Sequence, residues 1–161
     1  MLVLLFELGE ERCAIDSSVV IEVRPLAGLR PWPGAPAGIA GVLNFRGTPI
    51  PVIDLAERAI GRPAERRLST RLVVVTAPAA GESTRLVGLI AERATATARY
   101  DANDFAWLHI EGDPARSLGP VATDARGLLQ LIDMRQLVRT FVRGVPATIP
   151  EAACPSPTST N

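Results

Sequence analysis

Lysine is missing from this chain. All 17 basic residues are arginines, and 17 acidic residues balance them to a formal net charge of zero. The arginines form no cluster, so the electrostatic footprint that sequence-independent nucleic-acid binding requires is absent. The all-arginine usage itself reads as genome composition. Cysteine is scarce: Cys13 and Cys154 stand far apart with no CxxC spacing, which argues against a disulfide framework or a zinc site. No apolar run approaches the roughly 18 residues that cross a bilayer as a helix. The start MLVLLFELGEER has no basic leader, and Glu7 interrupts it too early for a signal peptide, so a cytoplasmic location is expected.

Catalytic constellations are equally thin. The single histidine, His109, lies beside Trp107 without a carboxylate or cysteine pattern and reads as a surface or packing residue. Ser17, Ser18, Ser69 and Ser83 stand in no GxSxG elbow and read as caps and turns. Gly38 and Gly41 precede a strand with no GK[ST] following, which excludes a phosphate loop. Asp101, Asp104, Glu111 and Asp113 do not match a DxDxDG spacing and read as a solvated acidic loop. Neither catalytic residues, a metal nor a cofactor is expected.

What the chain does have is many short apolar segments separated by glycine and proline. With 161 residues and 47% apolar composition it can bury one good core or two small ones. Leu2 to Leu8 and Arg12 to Ile15 read as a hairpin about Gly9-Glu10, and Asp16 heads a helical turn running into a strand that ends near Val23. PLAGLRPWPGAPAGIAG reads as a loop with restricted φ. Leu72 to Ala77, Leu86 to Ala91, Thr95 to Arg99 and GLLQLID read as further strands, and Gly88 marks a close backbone approach or a bulge. Asp54 with Glu57 caps a short helix that Gly61 ends, and Asp133 with Gln136 starts a second whose apolar positions are Met134, Leu137, Val138 and Phe141. VIDLAERAI and LIDMRQLVR share strand, cap and helix, and AIDSSVVIEV begins the same way. YDANDFAWLHIEGDPARS reads as an irregular connection, and residues 145–161 as a disordered tail. The pattern predicts an all-β fold of small barrels with short capping helices.

The segment GVLNFRGTPIPVIDL raises the functional question. Pro49 and Pro51 are two apart, so both missing backbone donors belong to one side of the strand, which predicts an unpaired edge or groove wall along Thr48, Pro49, Ile50 and Pro51. Prolines that blunt an edge against aggregation give the same pattern. Arg46 precedes the turn residue Gly47, and its guanidinium can make a two-pronged bond to a carboxylate, for which Glu22 is the expected partner. An exposed pair contributes only about 0–1 kcal/mol, so its value lies in orienting a contact surface.

The run PWPGAPAGIAGVLNFRGTPIPVIDL resembles the signature of the CheW-like domain, in which a proline-glycine loop leads into G-V-x-N-x-R-G-x-x-x-P-V-x-D-L. FELGEERCAIDSSVVIEV, STRLVVV, LVGLIAERA and LLQLIDMRQLV resemble its other segments, so the resemblance spans residues 2–141. It implies two intertwined SH3-like five-stranded barrels, one of about residues 13–67 and the other of residues 1–12 with 68–141. It also implies a non-catalytic adaptor that couples the cytoplasmic tip of a chemoreceptor to the regulatory domain of a CheA-type histidine kinase, touching the membrane only through the receptor. By position, Val20, Glu22, Asn44, Arg46 and Gly47 fall on the receptor-binding surface. Parts of the wording also look like adaptors of Wsp-type surface-sensing arrays. ATATARYDANDF departs from the family pattern by being small and polar, and the loop of Trp107 and His109 has no counterpart. The competing reading, a barrel that binds nucleic acid or a peptide, needs aromatic and basic residues on one face, and aromatics make up only 4% of this chain.

Overall fold

The run LVLLFEL forms β1 (Leu2–Leu8), and its lack of polar alternation has a cause in packing: both faces of the strand are covered. Val3 lies in one buried cluster with Ala14 and Leu129, against which Leu5, Tyr100 and Phe105 pack, whereas Leu4, Phe6 and Leu8 enter a larger one. The computed structural model describes residues 1–79, 81–108 and 118–142, together with Val145 and Ile149. Gly9, at φ 63°, turns the chain into β2 (Glu11–Asp16), antiparallel to β1 with Phe6 opposite Cys13. Asp16 then accepts from the Ser18 amide at 2.9 Å and caps a single 3₁₀ turn, as expected.

The remaining elements are β3 (Val20–Pro25), β4 (Leu29–Arg30), β5 (Ile39–Phe45), β6 (Thr48–Asp54), α1 (Leu55–Ile60), β7 (Arg71–Pro78), β8 (Thr84–Arg99), β9 (Val121–Asp124), β10 (Gly127–Leu131) and α2 (Met134–Phe141). The 16-residue β8 serves two sheets. Its first half pairs antiparallel with β7 and parallel with β6, and β3, β5 and β4 continue that sheet. Its second half pairs antiparallel with β1, and β2, β10 and β9 continue the other. The result is a pair of SH3-like barrels joined through one strand.

The seam lies at Arg93, which takes φ 50°. Leu5 pairs with Ala96 and Glu7 with Glu92, so four steps of β8 oppose two of β1, and the bulge turns the strand from one barrel into the other. Leu86–Ala91 and Thr95–Arg99, expected as separate strands, are thus the two halves of one. The strand pairings bear on how the chain is shared between the barrels. β2 pairs with β1 and β10 in the second barrel, and β7 with the first half of β8 joins β3 and β6 in the first. The strand β9 escaped the sequence reading because VATD is too short to show periodicity. Part of the expected tail is buried: Val145 at 6% and Ile149 at 2% exposure, with the Val145 carbonyl accepting from Arg85 at 3.2 Å. The rest of that expectation, with His109, Glu111, Asp113 and Cys154, lies outside the described residues.

The shared wording VIDLAERAI and LIDMRQLVR marks one device used twice. β6 pairs parallel with β8 and β10 parallel with β2, and each strand leads into an aspartate that caps a helix. Asp54 accepts from the Glu57 amide at 3.1 Å, and Asp133 from the Arg135 and Gln136 amides at 2.7 and 3.0 Å. Met134, Leu137 and Phe141 of α2 are buried. At Gly88, expected to mark a close backbone approach or a bulge, the close neighbour is a side chain: a Cβ there would lie 2.9 Å from Val52 Cγ2. Cys13 is fully buried, and burial pushes its thiol up to about 12, which leaves it inert as a nucleophile.

Charged groups tie the seam and the second barrel. Arg62 donates twice to Glu92, at 2.7 and 3.2 Å, the Glu65 amide donates to the same carboxylate at 2.7 Å, and Arg93 donates to Glu7 at 2.6 Å. Burial pushes the Glu92 carboxyl up, but the Arg62 guanidinium and the Glu65 amide outweigh it and hold the group below the usual carboxylate range. Asp124 receives the Arg12 fork at 2.7 and 2.9 Å, the Tyr100 hydroxyl at 2.7 Å and the Arg126 amide at 2.7 Å, linking β2, the end of β8 and the β9–β10 turn. Arg12, then Tyr100, hold its carboxyl well below the ordinary range. A folded-state value below the unfolded one contributes stability that is present above about pH 4 and lost as pH falls further. Asp124→Asn is therefore expected to lower the denaturant midpoint at neutral pH. It should also flatten the acid side of the stability profile below about pH 4, measured by urea titration across pH.

Candidate functional site

The β5–β6 hairpin turns through Arg46 and Gly47, at φ 51° and 86°, the paired positive angles of a type I′ turn whose twist matches the flanking strands. For glycine this is free of steric cost, and for arginine it costs roughly 1 kcal/mol. Three contacts offset that cost. The Gly47 amide donates to Asn44 Oδ1 at 2.9 Å, the Arg46 guanidinium lies 4.8 Å from the Phe45 ring centroid, and its Nη2 donates to Glu22 Oε2 at 3.3 Å. The expected Arg46–Glu22 pair is thus formed. It is shared, because Arg24 approaches Glu22 Oε1 at 3.8 Å. The Arg46 side chain remains 72% exposed while that of Glu22 is 33% exposed, so the arginine fork still faces solvent from a fixed base.

The prolines follow from the hairpin register. Phe45 and Thr48 flank a two-residue turn and exchange both backbone bonds; by alternation Ile50 points its amide to β5, and Pro49 and Pro51 point away. On that outer side β8 joins only from Val52 onward. The absent donors fall where β6 has no strand neighbour. The side chains are a different matter. Thr48 is exposed and Pro49 half-buried, but Ile50 and Pro51 are buried, because both faces of β6 are covered once it leaves the hairpin tip. Ile50 and Pro51 therefore do not line an open groove.

The strand β3 supplies the other half of the surface. Val20, Glu22 and Arg24 share one half-buried face, and Ile21 and Val23 on the opposite face are 46% and 42% exposed. β3 pairs with β7 alone, so these two aliphatics stand on an edge strand. They went unnoticed in the sequence because period-two alternation assigns residues to faces without saying which face is wet. A separate groove of about 400 Å³ lies between the barrels, lined in part by Val19, Pro78, Trp107, Leu131 and Met134. Asp101, expected in a solvated acidic loop, caps a 3₁₀ turn by accepting from the Asn103 amide at 2.9 Å. No group of three or more histidine, cysteine or acidic side chains among the described residues is arranged to hold a metal.

A fixed guanidinium, an ion-paired carboxylate and two exposed aliphatics at a barrel edge suit recognition of another protein. The fold is that of a twin-barrel module with this surface at the edge of one barrel. The CheW-like domain family matches residues 2–141, and the chain belongs to that family. It is 31% identical over 87 residues to the chemotaxis protein CheW of Rhizobium meliloti (strain 1021), a match covering 54% of this chain and 53% of the relative. It is 43% identical over 53 residues to the chemotaxis protein CheW of Treponema pallidum (strain Nichols), covering 33% and 31%. The chain thus spans about half the length, or less, of the curated relatives it matches. The scaffolding protein TtCheW from Thermoanaerobacter tengcongensis shares the fold, with a TM-score of 0.72 at 24% identity over 84% of this chain and 86% of that one.

Proposed function

We propose that this chain is a non-catalytic cytoplasmic adaptor that couples the cytoplasmic tip of a chemoreceptor to the regulatory domain of a CheA-type histidine kinase. Val20, Glu22, Asn44, Arg46 and Gly47 form its receptor-facing surface, and Thr48 and Pro49 extend the rim. The observation that carries this reading is Arg46, held at positive φ on the hairpin tip, braced by Phe45 and Glu22, and still exposed. Such a side chain loses little freedom on binding, because its backbone and base are already fixed. Membership in the CheW-like family supports this class of partner. Membrane contact is through the receptor, and no helix among the described residues is long and apolar enough to cross a bilayer.

The test is a pull-down and titration with the cognate receptor tip and kinase regulatory domain. Wild-type protein is expected to bind both. Arg46→Ala should weaken receptor affinity about 5- to 10-fold, in the range of a moderate interface residue, and leave kinase affinity and the thermal midpoint nearly unchanged. Association with neither partner would end the adaptor reading. Unaltered receptor affinity in a folded Arg46→Ala variant would remove Arg46 from the site while leaving the adaptor reading standing.

A further inference from the structure

Leu68 is the most exposed large apolar side chain among the described residues, at 96%. It lies between α1 and β7, directly after Arg66 and Arg67. A single exposed leucine carries no meaning by itself. This one is held outward. The Thr70 amide donates to the Arg67 carbonyl at 3.0 Å, closing a turn in which Leu68 takes the second position. Thr70, only 2% exposed, also donates its hydroxyl to the Glu65 carbonyl at 2.5 Å. The turn is pinned to β8 on both sides: the Ala94 amide donates to the Ser69 carbonyl at 3.2 Å, and the Glu65 amide to Glu92 at 2.7 Å. The turn backbone is therefore held by these bonds while Leu68 projects into solvent.

Beside the turn is a cavity of about 600 Å³ lined by Pro25, Leu26, Arg66, Arg67, Leu68 and Arg71, among others. Leu26 packs against the main core and gives the cavity an apolar floor. Three arginines stand around it, and among the described residues the carboxylate paired to them is Glu65, 2.5 Å from Arg67. A rigid leucine knob, an apolar hollow and an excess of guanidinium groups call for an occupant with its own aliphatic side chain bracketed by carboxylates.

We propose that the Arg67–Thr70 turn and the adjoining cavity dock a segment of a partner protein that presents an aliphatic side chain flanked by acidic residues. The cavity lining includes neither Arg46 nor Glu22, and the proposal does not depend on the receptor reading. A protein segment fits better than a lipid surface because the apolar part is a hollow with one knob beside it, which complements a protruding side chain.

The test uses the full ¹⁵N-labelled chain and the capped hexapeptide Asp-Glu-Leu-Leu-Asp-Glu as probe, with Lys-Lys-Leu-Leu-Lys-Lys and phosphatidylglycerol vesicles as comparison arms. Saturable amide shifts are expected at Leu26 and Arg66–Arg71 with the acidic peptide alone, weakening as salt rises from about 0.05 to about 0.3 M. Leu68→Ser and Arg71→Ser should each reduce the affinity by at least about fivefold. Leu68→Ser should leave the thermal midpoint unchanged, since the side chain contributes almost no buried area. The proposal is overturned by an absence of shifts in that set, by equal binding of the basic peptide, or by undiminished binding to Leu68→Ser. Shifts with vesicles but not with peptide also overturn it and make the surface a lipid contact.

Discussion

Replacing Asp54 by alanine is expected to lower the unfolding free energy by about 3 kcal/mol, although the residue lies in no docking surface. Its side chain does two things at once. One carboxylate oxygen accepts from the Glu57 amide at 3.1 Å, capping α1, and the other accepts from the Ala64 amide at 2.9 Å, fastening the chain beyond Gly61 back onto the end of β6. The residue is 5% exposed and Ala64 is 9% exposed, so neither amide finds ready replacement by water. Loss of an N-cap costs roughly 1 kcal/mol, and a buried donor left without an acceptor about 1–3 kcal/mol more. Asp54→Ser separates the two contributions, because a serine hydroxyl restores the cap to Glu57 without reaching Ala64. The serine variant should fall between wild type and alanine in urea denaturation. Alanine and serine variants of equal stability would mean that the Ala64 bond carries the whole effect.

Gly41→Ala is expected to cost about 3 kcal/mol or more, through crowding. A Cβ at this position would lie 2.3 Å from the Arg30 carbonyl oxygen and 3.2 Å from Leu29 Cδ1. The first of these is backbone of the paired strand β4, so relief requires β4 and β5 to separate. The register of β5 on β6 also shifts between Ile39 and Gly41, so the crowded point coincides with a bulge that bends the strand. Gly61→Ala is the comparison. That glycine is at φ 73° with nothing within 4 Å of its Cβ position, and alanine there should cost only about 1–2 kcal/mol, from the left-handed backbone alone. Chemical denaturation of the two variants side by side checks the order. A Gly41→Ala protein no less stable than Gly61→Ala would show that β4 yields without penalty.

The two substitutions mark how far local signals reach. The capping role of Asp54 was legible, because an aspartate three residues before a glutamate at a strand end has a short-range explanation. Its bond to Ala64 was not, since nothing in the intervening residues says that the chain returns there. The same division runs through the candidate site. The turn at Arg46-Gly47 and the outward amide positions of Pro49 and Pro51 follow from φ preference and strand parity. The burial of Ile50 and Pro51, and the exposure of Ile21 and Val23, depend on which strands cover β6 and β3.

By itself, then, the amino-acid order determined the short strands, the three aspartate caps, the tight hairpin and the side on which β6 lacks donors, because each depends on interactions within a few residues. Only the tertiary structure decided that β8 serves both barrels with its bend at Arg93, that β2 pairs with β1 and β10 while β7 pairs with β3 and β8, and that Leu68 is held outward. Those outcomes rest on pairings such as Leu2 with Arg99 and Val20 with Val75, and on burial produced by residues distant in the chain. Periodicity specifies that a strand has two faces; the neighbours that fold brings to it specify what each face touches.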